Sequence, residues 1–101
     1  MKEHQVTCII KSIPNGAHEH ITHIGNIAQG WKVTRELTIR QIEAKTDSYY
    51  TIEKITGKRA YVGVVPSQGG KAPYLRTHAD GKMNDNLLAQ PQCTTNCTLV
   101  G

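Results

Sequence analysis

The sequence predicts an α+β domain: one helix packed on one face of an antiparallel sheet of about four to five strands, in the order β-β-α-β-β-β. Three observations lead there. Short runs of β-branched and aromatic residues are bounded by Pro, Gly, Asn and Asp. One segment alone has helical spacing behind a capping residue. And 101 residues are room for one small domain.

The first strand is read over Gln5 to Ser12, where Val6, Cys8 and Ile10 alternate with Thr7 and Lys11, although Ile9 breaks the pattern. Pro14-Asn15-Gly16 ends it, because Pro withholds a ladder donor and Asn-Gly accepts positive φ. Ile21–Ile24, closed by Gly25, is the second strand. Gly30-Trp31-Lys32-Val33 leads to Thr34, a suitable N-cap with Glu36 in the first turn. The helix is expected over Arg35 to Lys45, with Ile39 and Ile42 on one face and Leu37 and Ala44 beside them. Tyr49–Ile52 is rich in β-formers, and Thr56-Gly57-Lys58 supplies a turn. Arg59–Val65 is the clearest strand, with Ala60, Val62 and Val64 toward the core and Tyr61, Gly63 and Val65 away from it. Pro73–His78 follows, ending at the Asp80-Gly81 turn. The domain is placed at residues 1–90. Residues 91–101, rich in Gln, Thr, Asn and Pro, read as a loosely held tail.

Composition narrows the class. Leu, Ile, Val and Phe total 21 residues, ten of them Ile, so the core is built on isoleucine. No apolar run approaches the roughly 18 residues of a membrane helix, and Met1-Lys2-Glu3-His4 does not open a secretory signal. The expectation is a cytoplasmic protein with no membrane association. Twelve basic and eight acidic residues leave a net charge of +4, with the surplus in the middle third and partly paired, as in Glu36 and Arg40 at helical spacing. Three cysteines without an export signal read as reduced thiols: Cys8 as a small buried hydrophobe, Cys93 and Cys97 in the tail.

Tyr61, Tyr74, Arg76 and His78 are expected to share the sheet face opposite the helix, joined by Tyr49 or Tyr50. Tyrosines among cations on an open sheet suit unpaired bases and phosphates. They equally suit a protein partner or a homodimer, or a wet face of good strand formers. His18, His20 and His23, three imidazoles in six residues, invite zinc, with Cys93 or Cys97 as a further ligand. No standard zinc spacing is present, and the main expectation is no cofactor. His78 and Asp80 invite a hydrolase, yet no nucleophile paired to a base is evident, and turn chemistry accounts for Asp80-Gly81 and Asn84-Asp85. Gly69-Gly70-Lys71 lacks the phosphate-loop spacing and reads as a connection. The reading that results is a non-enzymatic binding domain acting through its open sheet face.

His20-Ile21-Thr22-His23-Ile24-Gly25, Arg59-Ala60-Tyr61-Val62, Tyr74-Leu75-Arg76-Thr77 and the closing run Ala79-Asp80-Gly81-Lys82, Asn84-Asp85-Asn86-Leu87-Leu88, with Pro91 and Cys93, carry a resemblance. Over about residues 5–93 the chain is similar to the small bacterial proteins of domain-of-unknown-function family 3892. Met83 departs from it, since the family often has Trp there. The resemblance implies a single small domain and no established activity or catalytic residue.

Overall fold

A computed structural model describes residues 2–101. The elements are β1 (Lys2–Gln5), β2 (Cys8–Lys11), a 3-10 turn (His18–His20), β3 (Ile21–Asn26), β4 (Trp31–Thr34), α1 (Arg35–Ala44), β5 (Asp47–Ile52), β6 (Arg59–Val65), β7 (Tyr74–Ala79), β8 (Lys82–Asn84) and β9 (Thr98–Leu99). The α+β class holds, with one helix and sheets of four and five strands. There are two sheets rather than one, ordered β1-β5-β6-β7-β8 and β2-β3-β4-β9. Each is antiparallel except for one parallel edge pair, β1 with β5 and β4 with β9.

The strand expected over Gln5–Ser12 is split, because the chain changes sheets at Val6 and Thr7. The Val6 amide donates to the Tyr50 carbonyl in the first sheet, and the Thr7 amide to the Gly25 carbonyl in the second. Buried Asn26 ties the crossing: its Nδ2 donates 3.0 Å to the Gln5 carbonyl. The Ile27 amide donates to Thr7 Oγ1. The broken alternation at Ile9 has the same origin, since β2 is buried on both faces. Ile9 joins the main core, whereas Cys8 and Ile10 pack with Cys93 and Cys97 on the other side.

The helix forms as its residues dictate. Thr34 Oγ1 accepts from the Leu37 amide, and the Thr38 hydroxyl donates to the Thr34 carbonyl. The C-cap, Lys45, is left-handed at φ 59°. Ile39 of α1 meets Val6, Ile21, Ile24 and Val33 together with Tyr49, Val62, Leu75 and Leu87 in one core between the sheets. Asp80-Gly81 is a two-residue hairpin turn, both residues at positive φ, joining β7 to β8. Asn84 Oδ1 accepts from the Asn86 amide, the local turn chemistry the sequence implied, and it also accepts from the buried Thr77 hydroxyl at 2.6 Å.

Residues 91–101 are fastened to the body instead of trailing from it. The Ile9 amide donates to the Pro91 carbonyl and the Cys93 amide to the Ile9 carbonyl. Further along, Thr98 and Val100 amides donate to Gly30 and Lys32 carbonyls. The second sheet would otherwise expose unpaired backbone along β2 and β4, and main-chain pairing needs no apolar side chains to advertise it. Cys8 and Cys93, 85 residues apart, form a disulfide, and Cys97 is free and buried. This corrects the expectation of three reduced thiols: the tail brings Cys93 over Gly25, the cross-strand partner of Cys8.

A Cβ at Gly25 would collide with the Trp31 carbonyl oxygen and sit 3.1 Å from Cys93 Sγ. Gly25→Ala is expected to lower stability by about 1–3 kcal/mol, read as a lower urea midpoint at unchanged slope. Lys45→Gly is expected to act oppositely and raise stability by about 0.5–1 kcal/mol, because glycine meets no Cβ penalty at that left-handed cap.

Candidate binding face

The alternation of β5, β6 and β7 sends Tyr49, Thr51, Ala60, Val62, Leu75 and Thr77 into the protein, where each is buried. It sends Tyr50, Tyr61, Tyr74, Arg76 and His78 to the outer side. Register then sets their spacing: Tyr50 stands opposite Tyr61, Tyr61 opposite His78, Gly63 opposite Arg76, Val65 opposite Tyr74, and His78 opposite Met83 of β8. Of the two alternatives in the sequence, Tyr50 joins the face and Tyr49 the core. Gly63 leaves room for the His78 ring, which would lie 3.1 Å from any Cβ placed there. Gly63, Val65, Arg76, His78 and Met83 line a shallow groove of about 410 Å³.

Charges on this face are countered locally. The Arg59 guanidinium lies 4.1 Å above the Tyr50 ring and 3.5 Å from Glu3 Oε2, which also accepts from the Tyr61 hydroxyl. Arg76 reaches round the end of β8, its Nε donating to the Asn84 carbonyl and its Nη2 lying 3.2 Å from Asp85 Oδ1. His18 Nε2 is also 3.2 Å from Asp85 Oδ1. That separation suits attraction, and among the described residues the buried nitrogen has no hydrogen-bond partner.

The zinc set expected at His18, His20 and His23 is not assembled. His18 faces Asp85, His20 Nδ1 accepts from the Ala17 amide, and His23 Nδ1 shares a hydrogen bond with the Thr22 hydroxyl. Each ring, two on the 3-10 turn and one on β3, thus has a different partner, and the three do not converge. Among the described residues, the group whose ligand atoms converge is Cys8, Cys93 and Cys97. His78 and Asp80 likewise share no hydrogen bond or ion pair among the described residues. His78 points outward from β7, and Asp80 occupies the left-handed hairpin turn.

One arrangement was not singled out by the sequence. His4, Trp31 and Tyr49 contact one another, with ring centroids 5.0–6.1 Å apart. They line a pocket of about 270 Å³ with Gln41, Asp47 and Val100. His4 Nε2 donates 2.7 Å to Asp47 Oδ2, and that bond holds the Asp47 carboxyl below its ordinary value. Burial, aided by the Asp47 charge, pushes the Tyr49 hydroxyl up to about 12. The parallel pairing of β1 with β5 sets His4 beside Tyr49. A strand expected to begin at Gln5 excluded His4, so this neighbourhood was invisible.

These features define a small two-sheet α+β domain with one exposed, tyrosine-bearing sheet face. The model of a protein family described as "protein of unknown function (DUF3892)" matches residues 5–91, and the chain belongs to that family. No curated protein and no solved structure shows significant similarity to it.

Burial holds His18 and His23 below the ordinary 6.5, helped by Arg76 at the first and Lys32 at the second. Between 6.5 and their folded-state values the unfolded chain binds protons that the folded one refuses. Stability is therefore full above about pH 6.5 and erodes as the pH falls through the folded values. The melting temperature is expected to drop between pH 7.5 and 5.5, and the double variant His18→Gln, His23→Gln to flatten that drop. Asp47, depressed in the fold, adds a further loss at lower pH, as acid protonates it.

Proposed function

We propose that the protein is a non-catalytic binding domain that works through the outer face of its five-stranded sheet, and that the partner on this face is a second copy of the chain. The supporting observation is the bareness of that face. The inner faces of both sheets share the core with α1, and the far side of the second sheet is covered by the segment carrying Cys93 and Cys97. Among the described residues no element covers Tyr61, Tyr74, Arg76, His78 and Met83, and Met83 is 59% exposed. Tyr, Met and Arg are the residues enriched where protein surfaces meet.

Charge distinguishes the possible partners. The face holds two arginines and two carboxylates in contact with them, so the excess of +4 lies elsewhere on the molecule. A phosphate backbone gains little from a face that is already neutral, and one ring face of Tyr50 is occupied by Arg59. Two such faces, in contrast, meet without net repulsion, and each carries paired charges of both signs for its copy. A cytoplasmic location belongs to the same proposal. Among the described residues no helix is long and apolar enough to cross a membrane.

Sedimentation velocity across a concentration series tests the reading. The chain is expected to double in mass, and Met83→Glu to weaken the association at least about tenfold while leaving the stability of the monomer, read at a dilution where both chains are dissociated, within about 0.5 kcal/mol of unchanged. A chain that stays monomeric up to about 1 mM overturns it. Amide shifts at Tyr61 and Tyr74 on adding a single-stranded oligonucleotide, weakening with salt, would reassign the face to nucleic acid.

A further inference from the structure

The three cysteines converge where the C-terminal segment crosses the second sheet. Their sulfurs lie within 4.8 Å of one another and all three residues are buried. They come from distant positions: Cys8 from β2, Cys93 and Cys97 from the segment after Pro91. Gly25 makes the space, since any side chain there would press on Cys93 Sγ. Cys8 and Cys93 are joined, while the hydrogen-bond contacts of the Cys97 sulfur among the described residues are long, 3.9 Å to Thr94 Oγ1 and 4.0 Å to the Asn26 carbonyl.

We propose that, once the Cys8–Cys93 bond is reduced, Cys8, Cys93 and Cys97 form a three-thiolate site for one soft d10 cation, Cu(I) or Zn(II). Metal–sulfur bonds of about 2.3 Å set sulfur–sulfur edges of about 4 Å. The three sulfurs already sit within 4.8 Å of one another, and the Cys8 and Cys93 sulfurs, once their bond is opened, part to that edge by side-chain rotation. An all-sulfur set selects thiophilic ions over hard ones. No His, Asp or Glu joins the group among the described residues. Cu(I) is satisfied by three thiolates, whereas Zn(II) takes a fourth ligand from outside the chain. The disulfide and the cation are thus alternatives at the same atoms: two electrons and two protons open the S–S bond, and the thiols shed protons as they bind metal. The site is independent of the sheet-face reading, which involves none of these residues.

The test uses the full chain and Cys97→Ser, which keeps the Cys8–Cys93 pair and so separates ligand loss from loss of the fastening. A water-soluble phosphine reduces the disulfide, taking oxygen from water as it becomes its oxide and leaving two thiols. Cu(I) and Zn(II) are then titrated anaerobically in separate arms. One equivalent per chain is expected in at least one arm, with sulfur-to-metal charge-transfer absorption for Cu(I), protection of all three thiols from a thiol reagent, and a higher melting temperature. If the reduced chain is unfolded, the cation is expected to restore the native amide spectrum. Cys97→Ser is expected to bind at least about 100-fold more weakly, and the unreduced protein not to fill the site. Absence of stoichiometric uptake by the reduced chain in both arms, failure to refold it, or equal affinity in Cys97→Ser overturns the proposal.

Discussion

Everything in this fold depends on one crossing of the chain between sheets. The amides of Val6 and Thr7, adjacent in sequence, donate to Tyr50 in one sheet and Gly25 in the other. Two sheets stitched by a single residue step cannot slide apart or change register independently, so their facing sides enclose one core with α1 at its boundary. Asn26 is the polar cost of this arrangement. It is a buried amide that survives because its Nδ2 satisfies the Gln5 carbonyl and its Oδ1 accepts from the Gln29 amide. The crossing also buries β2 on both faces, and a small chain with 21 large aliphatic residues has few left to cover the second of them. Cysteine sulfurs from the C-terminal segment do so.

Local signals in the sequence were reliable wherever local chemistry decides. Arg59–Val65 alternates because one side faces the core and the other does not, and its ends fall where β6 ends. Thr34 caps α1, and Asp80-Gly81 turns between β7 and β8, because side-chain oxygens and accessible positive φ act over two to four residues. The signals failed where partners are remote. A continuous Gln5–Ser12 run and one split between two sheets have nearly the same hydrophobic pattern, and only Ile9, out of phase with its neighbours, hinted at burial on both sides. β4, β8 and β9 are two to four residues long, too short for a period to register, and they are held by main-chain bonds that any residue can make.

The same division runs through the candidate site. Tyr61, Tyr74, Arg76 and His78 could be placed on a common face because period-two alternation reaches that far without tertiary information. The histidines could not: proximity in sequence put His18, His20 and His23 together on paper, while a 3-10 turn followed by a strand sends their rings to separate partners. For the cysteines the reverse holds. Cys8 and Cys93 are separated by 85 positions, and no spacing rule joins residues whose meeting depends on where the last segment lies.

The fold thereby separates its two chemically loaded regions. The tyrosine face lies outside the five-stranded sheet, the sulfur cluster outside the four-stranded one, and the shared core stands between them. Opening the Cys8–Cys93 bond frees one attachment of the C-terminal segment. The Pro91–Cys93 bridge to Ile9 and the pairing of β9 with β4 are backbone bonds that do not require it. The bare face draws its geometry from the β5–β6–β7–β8 ladder, to which no cysteine contributes. Substitutions at the two regions share no partners and are separated by a packed core, so their effects on stability should add. The Val6–Thr7 step is the shortest covalent link between the sheets, the others running through α1 and through the segment between β8 and β9.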